Sequence, residues 1–240
     1  MKKMQEEIGM LHILYEDKEI LVAEKPAGME SQSSRRFEPD MVSEIKNYLR
    51  LSTKLSTKPS TPGKEPYVGV IHRLDKPVGG VMVYAKTQKA AAALSKQVQE
   101  HRMRKTYQTV VCGKLVDTVG NYVDFLLKDG KNNYTSVVDK SVKDSKRAEL
   151  NYHVLKEKET EAGVLSLVEV ELLTGRHHQI RVQFASRGTP LWGDNKYNPA
   201  CEKKSSLALY SAGLAFDHPA TGKRMEFTLP PKGSIFRQFA

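Results

Sequence analysis

Apolar and polar positions alternate along much of this chain, and the alternation marks strands. His12–Tyr15 and Ile20–Glu24 read as two strands joined by the polar residues 16–19. The turn Lys25-Pro26-Ala27-Gly28 follows, its proline presetting φ and its glycine free to take positive φ. Val68–His72 and Val81–Lys86 read as strands flanking a second turn, and Thr106–Cys112 as a strand stopped by Gly113. Tyr134–Asp139, Ala148–Lys156 and Val164–Leu173 are further strands. In the last of these Val164, Val168, Val170 and Leu172 share one parity, which predicts that they face the core. Leu207–Phe216 and Arg224–Leu229, joined by a turn over His218–Gly222, predict a terminal hairpin.

A helical period appears in fewer places. Met41, Val42, Ile45, Tyr48 and Leu49 predict a short helix over 41–50. Thr87 is suited to cap a helix from Gln88 to about His101, with Ala91, Leu94 and Val98 inward. Gln179–Arg187 predicts a third helix, with Ile180 and Phe184 inward and Gly188 as its stop. Long strands in hairpins with few helices predict an α+β fold, a largely antiparallel mixed sheet in one domain over residues 1–240. Ser52–Pro66, built from Ser, Thr, Lys, Pro and Gly, reads as a mobile surface loop.

Composition narrows the class. The 240 residues are 39% hydrophobic with a mean hydropathy of −0.50, which suits a soluble globular protein. Apolar runs are too short for a membrane span, and the stretch around Met10–Leu14 is too short for a signal peptide, so the expected compartment is the cytoplasm. Cys112 and Cys201 stand far apart with no ligand pattern and read as free thiols. Against 28 acidic residues stand 38 Lys and Arg, a net charge of +10, which favours a polyanionic partner.

Candidate chemistry starts from what is missing. The sequence has no phosphate-cradling loop, no dinucleotide fingerprint and no nucleophile elbow, and adjacent His177 and His178 lack a third ligand at metal spacing. No cofactor and no metal is expected. The remaining candidates are Asp75, in Gly69-Val70-Ile71-His72-Arg73-Leu74-Asp75-Lys76-Pro77, and the cations of Thr174-Gly175-Arg176-His177-His178-Gln179-Ile180-Arg181. An aspartate serves as a nucleophile if it stays ionised and held, and a facing guanidinium would do both. Arg181 is the first candidate for that guanidinium and Arg176 the reserve; the alternative makes Asp75 a turn residue and Arg181 a surface one.

These blocks resemble the RluA-type pseudouridine synthases, whose essential aspartate lies in a His-Arg-Leu-Asp string like His72–Asp75. Tyr84-Ala85-Lys86-Thr87, Lys105-Thr106-Tyr107 ending at Gly113, and Gly188, Pro190-Leu191, Gly193-Asp194 with Tyr197 are similar to further family blocks, in order. Leu214, Phe216, His218-Pro219 and Thr221-Gly222 complete the likeness, which spans roughly residues 12–231. The resemblance implies isomerisation of uridine to pseudouridine in ribosomal or transfer RNA without a cofactor; a monomer is the default expectation. It makes Asp75 the essential residue and Tyr107 an active-site tyrosine that stacks on uracil or shuttles a proton, with Arg181 kept as the expected guanidinium facing Asp75. Arg73, two residues before Asp75, would fill the place of the flipped base or hold a phosphate. Arg176 and the basic run Arg102, Arg104 and Lys105 are the other expected RNA contacts.

The chain departs from the family in Val78-Gly79-Gly80, where many relatives carry Thr-Ser-Gly, and in Tyr210, where many carry histidine. The pattern starts near Leu11, so no N-terminal RNA-binding domain is expected. Two rival readings are a non-catalytic RNA-binding module and a metal-free RNA-cleaving enzyme using His72 or His177.

Overall fold

Two unbroken apolar runs organise the first part of the fold. The computed structural model describes residues 11–33, 38–55, 65–161, 163–200 and 205–240. The chain forms two compact units, one from residues up to 103 with 214–228, the other from 104–213 with 229–240.

The first unit contains β1 (His12–Glu16), β2 (Ile20–Lys25), β3 (Gly69–Val70), β4 (Gly79–Ala85) and β11 (Arg224–Thr228), with helices α1 (Met41–Leu55) and α2 (Gln88–Gln99). Its strands run in the order β1-β2-β4 and then the end of β10 (Leu209–Asp217), with β11 on β10 and β3 on β4. β2 and β4 pair antiparallel, Leu21 opposite Tyr84 and Val22 opposite Val83. Both strands are buried along their whole length, so each has both faces covered, which is why they read as continuous apolar runs.

α1 opens at Asp40, whose Oδ1 accepts the Ser43 N–H at 2.7 Å, and it buries Met41, Ile45 and Leu49 one above another. It continues to Leu55, beyond the expected end at 50, and residues 56–64 of the expected loop lie outside the described residues. Thr87 caps α2 as expected, its Oγ1 accepting the Ala90 N–H at 3.1 Å. The buried face of α2 is Ala90, Leu94 and Gln97, rotated from the expected Ala91, Leu94 and Val98. Gln97 turns inward because it completes a backbone: its Nε2 donates to Asp217 O at 2.7 Å and its Oε1 accepts from Asp217 N at 2.8 Å.

In the second unit the start of β10 is followed in the sheet by β5 (Arg104–Cys112), β9 (Gly163–Leu172), β8 (Lys146–Thr160), β6 (Val119–Asp129) and β7 (Tyr134–Val138). The β5–β9, β9–β8, β8–β6 and β6–β7 pairs are all antiparallel. β6 escaped the sequence reading because Gly120, Asn121 and Asp124 interrupt its pattern. The Tyr152 ring, from the residue opposite on β8, supplies what Gly120 lacks: a Cβ there would lie 2.6 Å from it.

Helix α3 (Gln179–Ala185) covers one face of this sheet. Its Phe184 meets Tyr122 and Tyr152, and its Val182 packs with Leu126, Ala148 and Tyr197. On the other face Val110, Leu165 and Leu167 pack with Tyr210 and with Ile235, Phe236 and Phe239 in and beside α4 (Ser234–Arg237). Of the four expected inward residues, Val168 and Val170 are fully buried, whereas Val164 and Leu172, towards the strand ends, are only half-buried. The α+β class with a largely antiparallel sheet is therefore borne out.

Candidate active site

Asp75 sits half-buried on the loop between β3 and β4. The peptide groups around it are tied down one by one. Ser31 Oγ accepts the Leu74 N–H at 3.0 Å and donates to Leu74 O at 2.9 Å. Asp75 O accepts the Val78 N–H at 2.9 Å, closing a turn. Lys76 O accepts the Gly28 N–H at 2.8 Å and the Lys25 ammonium at 3.2 Å. Lys25 Nζ also donates to Pro26 O at 3.1 Å and Met29 O at 2.5 Å, so a single ammonium joins the 25–29 turn to the aspartate loop.

The Lys25 side chain is fully buried. Burial brings its pKa down to about 8, against the opposing pull of the nearby Glu30 and Asp75 carboxylates. Sequence reasoning named this segment only as a turn. Its one signal was a lysine closing an apolar strand, and Ser31 gave none. Gly80, among the residues that replace the usual Thr-Ser-Gly, takes φ 126°, a conformation open to glycine. Arg73 is exposed, and His72 Nε2 accepts the Val83 N–H at 3.4 Å.

The Thr174–Arg181 block belongs to the second unit and is moored on β8 at Glu149. Glu149 N donates to Thr174 Oγ1 at 2.8 Å, and Gln179 Nε2 donates to Glu149 O at 3.0 Å. Gln179 Oε1 accepts from Thr174 Oγ1 at 2.8 Å and from Arg176 N at 2.9 Å, holding the turn before α3. His178 takes a left-handed backbone (φ 51°), uncommon for a residue with a Cβ. Its ring stacks on His177 at 3.7 Å and its Nδ1 meets the Tyr197 hydroxyl at 2.7 Å. That hydroxyl also accepts the Thr135 N–H at 2.9 Å and is placed to donate its own proton to His178. Burial, with the charges of Arg181, Lys196 and Lys128 near it, pushes the His178 pKa down to about 2, so the ring is neutral at physiological pH.

Arg181 is buried. Its Nε and Nη2 donate to Asp194 Oδ2 and Oδ1, each at 2.7 Å, and its guanidinium lies 5.1 Å from the centre of the Tyr197 ring. Asp194 is fully buried, and its Oδ1 accepts two more N–H groups, from Lys196 at 3.0 Å and Tyr197 at 3.1 Å. The bidentate clamp occupies two of the five guanidinium N–H donors and fixes the plane in which the other three point. Sequence reading placed Asp194 in a family block but gave it no role. Tyr107, almost fully buried on β5, lies opposite Val170, which is itself opposite Tyr152; register thus puts it on the sheet face that α3 covers.

The other expected cations are placed as follows. Arg102 is ion-paired with Glu100 at 2.7 Å and Asp217 at 2.9 Å, and Arg104 with Glu171 at 3.0 Å. Lys105 is half-buried, its pKa lowered by burial, and its Nζ sits beside Gly175. Arg176 is exposed, its Nε donating to Arg147 O at 2.9 Å. Tyr210, where relatives often carry histidine, is a core residue in the cluster with Val110 and Phe236. Among the described residues no group of three His, Cys, Asp or Glu side chains could hold a metal ion, and no helix is long and apolar enough to cross a membrane. Cys112 is half-buried, its Sγ accepting from Asn198 Nδ2 at 3.6 Å, and Cys201 lies outside the described residues.

The family model for RNA pseudouridylate synthase matches residues 19–186, and the chain belongs to that family. It is 31% identical over 227 residues to the ribosomal large subunit pseudouridine synthase D of Zymomonas mobilis, covering 90% of this chain and 68% of that one. It is 33% identical to an uncharacterized RNA pseudouridine synthase of Bacillus subtilis (92% and 69%) and 28% identical to the tRNA pseudouridine synthase C of Yersinia pestis (91% and 86%). Human RNA pseudouridylate synthase domain containing 1 shares the fold, with a TM-score of 0.73 at 19% identity over 93% of this chain and 84% of that one. The chain is thus an RNA pseudouridine synthase, and the binding-module and RNA-cleaving readings are set aside.

Proposed function

We propose that this chain isomerises uridine to pseudouridine in structured ribosomal or transfer RNA, with Asp75 as its essential residue. The observation that carries the reading is the Asp75 loop, in which Ser31, Gly28 and Lys25 hold the peptides on both sides of one half-buried carboxylate. The net charge of +10 supports a polyanionic substrate. The names of the Zymomonas and Yersinia relatives, one ribosomal and one transfer RNA enzyme, support both RNA classes equally.

The reaction breaks the bond from ribose C1′ to the base nitrogen, turns the base, forms a bond from C1′ to C5, and releases the C5 proton while the freed nitrogen takes one up. It is an isomerisation with no net redox change. The target uridine must leave its stack first, at a cost of a few kcal/mol. Asp75 then attacks the sugar or the base, or assists ribose deprotonation. Tyr107 stacks on the uracil or moves a proton, and the clamped guanidinium of Arg181 supplies fixed positive charge. Arg73, exposed and two residues before Asp75, is the contact to the RNA beside the flipped base.

The test is tritium release from RNA labelled at uridine C5, using unfractionated ribosomal and transfer RNA from a strain lacking the enzyme. Release by the wild type, and none by folded Asp75→Ala or Asp75→Asn, is the expected result. Wild-type rates in Asp75→Asn would refute the assignment of Asp75.

A further inference from the structure

We propose that Lys128, Lys146, Arg176 and Lys196, beside the β6–β7 hairpin that carries the exposed ring of Tyr134, form the track that holds the RNA backbone. The inference rests on the RNA reading above and adds where on the second unit the strand runs.

Register brings the first two cations together. Lys146 of β8 stands opposite Leu126 of β6, and Lys128 is the next same-face residue along β6. Lys128 in turn stands opposite Thr135, whose hydroxyl meets His177 Nδ1 at 2.7 Å, and Arg176 is the residue before His177. Lys196 reaches the same hairpin from the other side, its Nζ donating to Asn133 O at 2.7 Å. Lys128 and Lys196 both lie near enough to His178 to disfavour its protonation. All four are exposed, and none forms an ion pair with a carboxylate among the described residues.

Tyr134, the residue after Asn133 on the same hairpin, has 40% of its surface exposed. Its ring is backed by Tyr197, with the centres 4.6 Å apart, so it is an anchored aromatic platform of the kind on which an unpaired base stacks. The acidic groups nearby are occupied. Asp129 accepts from Lys131 N at 2.8 Å and from Asn132 Nδ2 at 2.6 Å, and Glu149 is paired with Arg147 at 2.6 Å.

The basic run that stands out in the sequence is the weaker candidate. Arg102 and Arg104 already hold carboxylates, and Lys105 is half-buried. A cation neutralised within the protein carries fewer counterions to release, and counterion release drives phosphate binding.

The experiment measures fluorescence anisotropy of a fluorescein-labelled 20-nucleotide oligouridylate between 25 and 300 mM KCl, with melting temperatures matched across variants. On a single strand each phosphate contact contributes about 0.7 to the log–log salt slope. Lys128→Gln/Lys146→Gln/Lys196→Gln is expected to make the slope shallower by about 2. Tyr134→Ala is expected to weaken binding roughly tenfold at every salt concentration and leave the slope unchanged. A wild-type slope in the triple variant would overturn the proposal, as would a loss of slope found instead in Arg102→Gln/Arg104→Gln. So would absence of wild-type binding at 25 mM KCl. Tritium release separates the two levels: its absence in the wild type sinks the isomerase reading, whereas release with an unaffected triple variant sinks only the track.

Discussion

Asp194→Asn tests whether the buried clamp on Arg181 is as strong as its geometry implies. Both side chains are almost out of water, at 8% exposure for the arginine and 0% for the aspartate, and two 2.7 Å hydrogen bonds join them. Removing one partner of such a pair deprives the other buried charge of its bidentate counter-ion, a loss of about 3–5 kcal/mol. Asparagine keeps an oxygen for the Lys196 and Tyr197 N–H groups, so the loss isolates the charge pair. For a chain of this length each kcal/mol lowers the melting temperature by roughly 2–4 °C, giving a fall of roughly 6–20 °C. Arg181→Met should cost a similar amount. The double variant Arg181→Met/Asp194→Asn should be more stable than the sum of the singles by at least about 2 kcal/mol, because no unpaired charge remains. The assays are thermal melts by circular dichroism and single-turnover tritium release, which should fall in all three variants. A melting temperature for Asp194→Asn within 2 °C of wild type (about 1 kcal/mol or less), or simple additivity in the double variant, would refute the argument.

Two further outcomes follow from single residues. Gly193→Ala should cost several times more than Gly188→Ala, although their φ angles are 73° and 75°. A Cβ at 193 would lie 2.0 Å from Ser206 O, a backbone atom, whereas one at 188 meets nothing within 4 Å and pays only the left-handed penalty of about 1–2 kcal/mol. Equal urea midpoints for the two variants would remove the steric argument. Lys25 makes stability depend on pH: its folded pKa of about 8 is below the ordinary 10.5, so between those values the unfolded chain binds more protons. Stability should therefore rise with pH across that window, by up to about 3 kcal/mol, and Lys25→Met should lack the increment. Parallel urea midpoints for wild type and Lys25→Met from pH 7.5 to 10 would contradict it.

The strands that read clearly in the sequence are those whose own side chains cover both faces. Ile20–Ala23 and Val81–Ala85 are continuous apolar runs, and they are the fully buried β2 and β4. β6 was illegible because the side chain that fills its gap at Gly120 belongs to Tyr152, on another strand. The face of α2 was misjudged for a related reason: Gln97 is polar, and only the bare backbone of Asp217 makes its burial favourable. α4, with four residues, is too short to show a period, yet Ile235 and Phe236 close one core. In each case the deciding partner lies far along the chain.

The same separation governs the site. A motif reports the residues that one stretch contributes, so Asp75 and Arg181 stood out while their holders did not. Lys25 binds Lys76 O across 51 residues, and Ser31 binds Leu74 across 43. Neither short string contains that information, and a lysine or serine beside a turn is unremarkable by itself. Yet a carboxylate on a free loop would spend most of its time misaligned, and alignment is a large part of what a catalytic site supplies. The buried ammonium and hydroxyl hold the peptides on either side of Asp75, the residue proposed to be essential. By the same logic, substitutions at Lys25 or Ser31 act on Asp75 through its backbone.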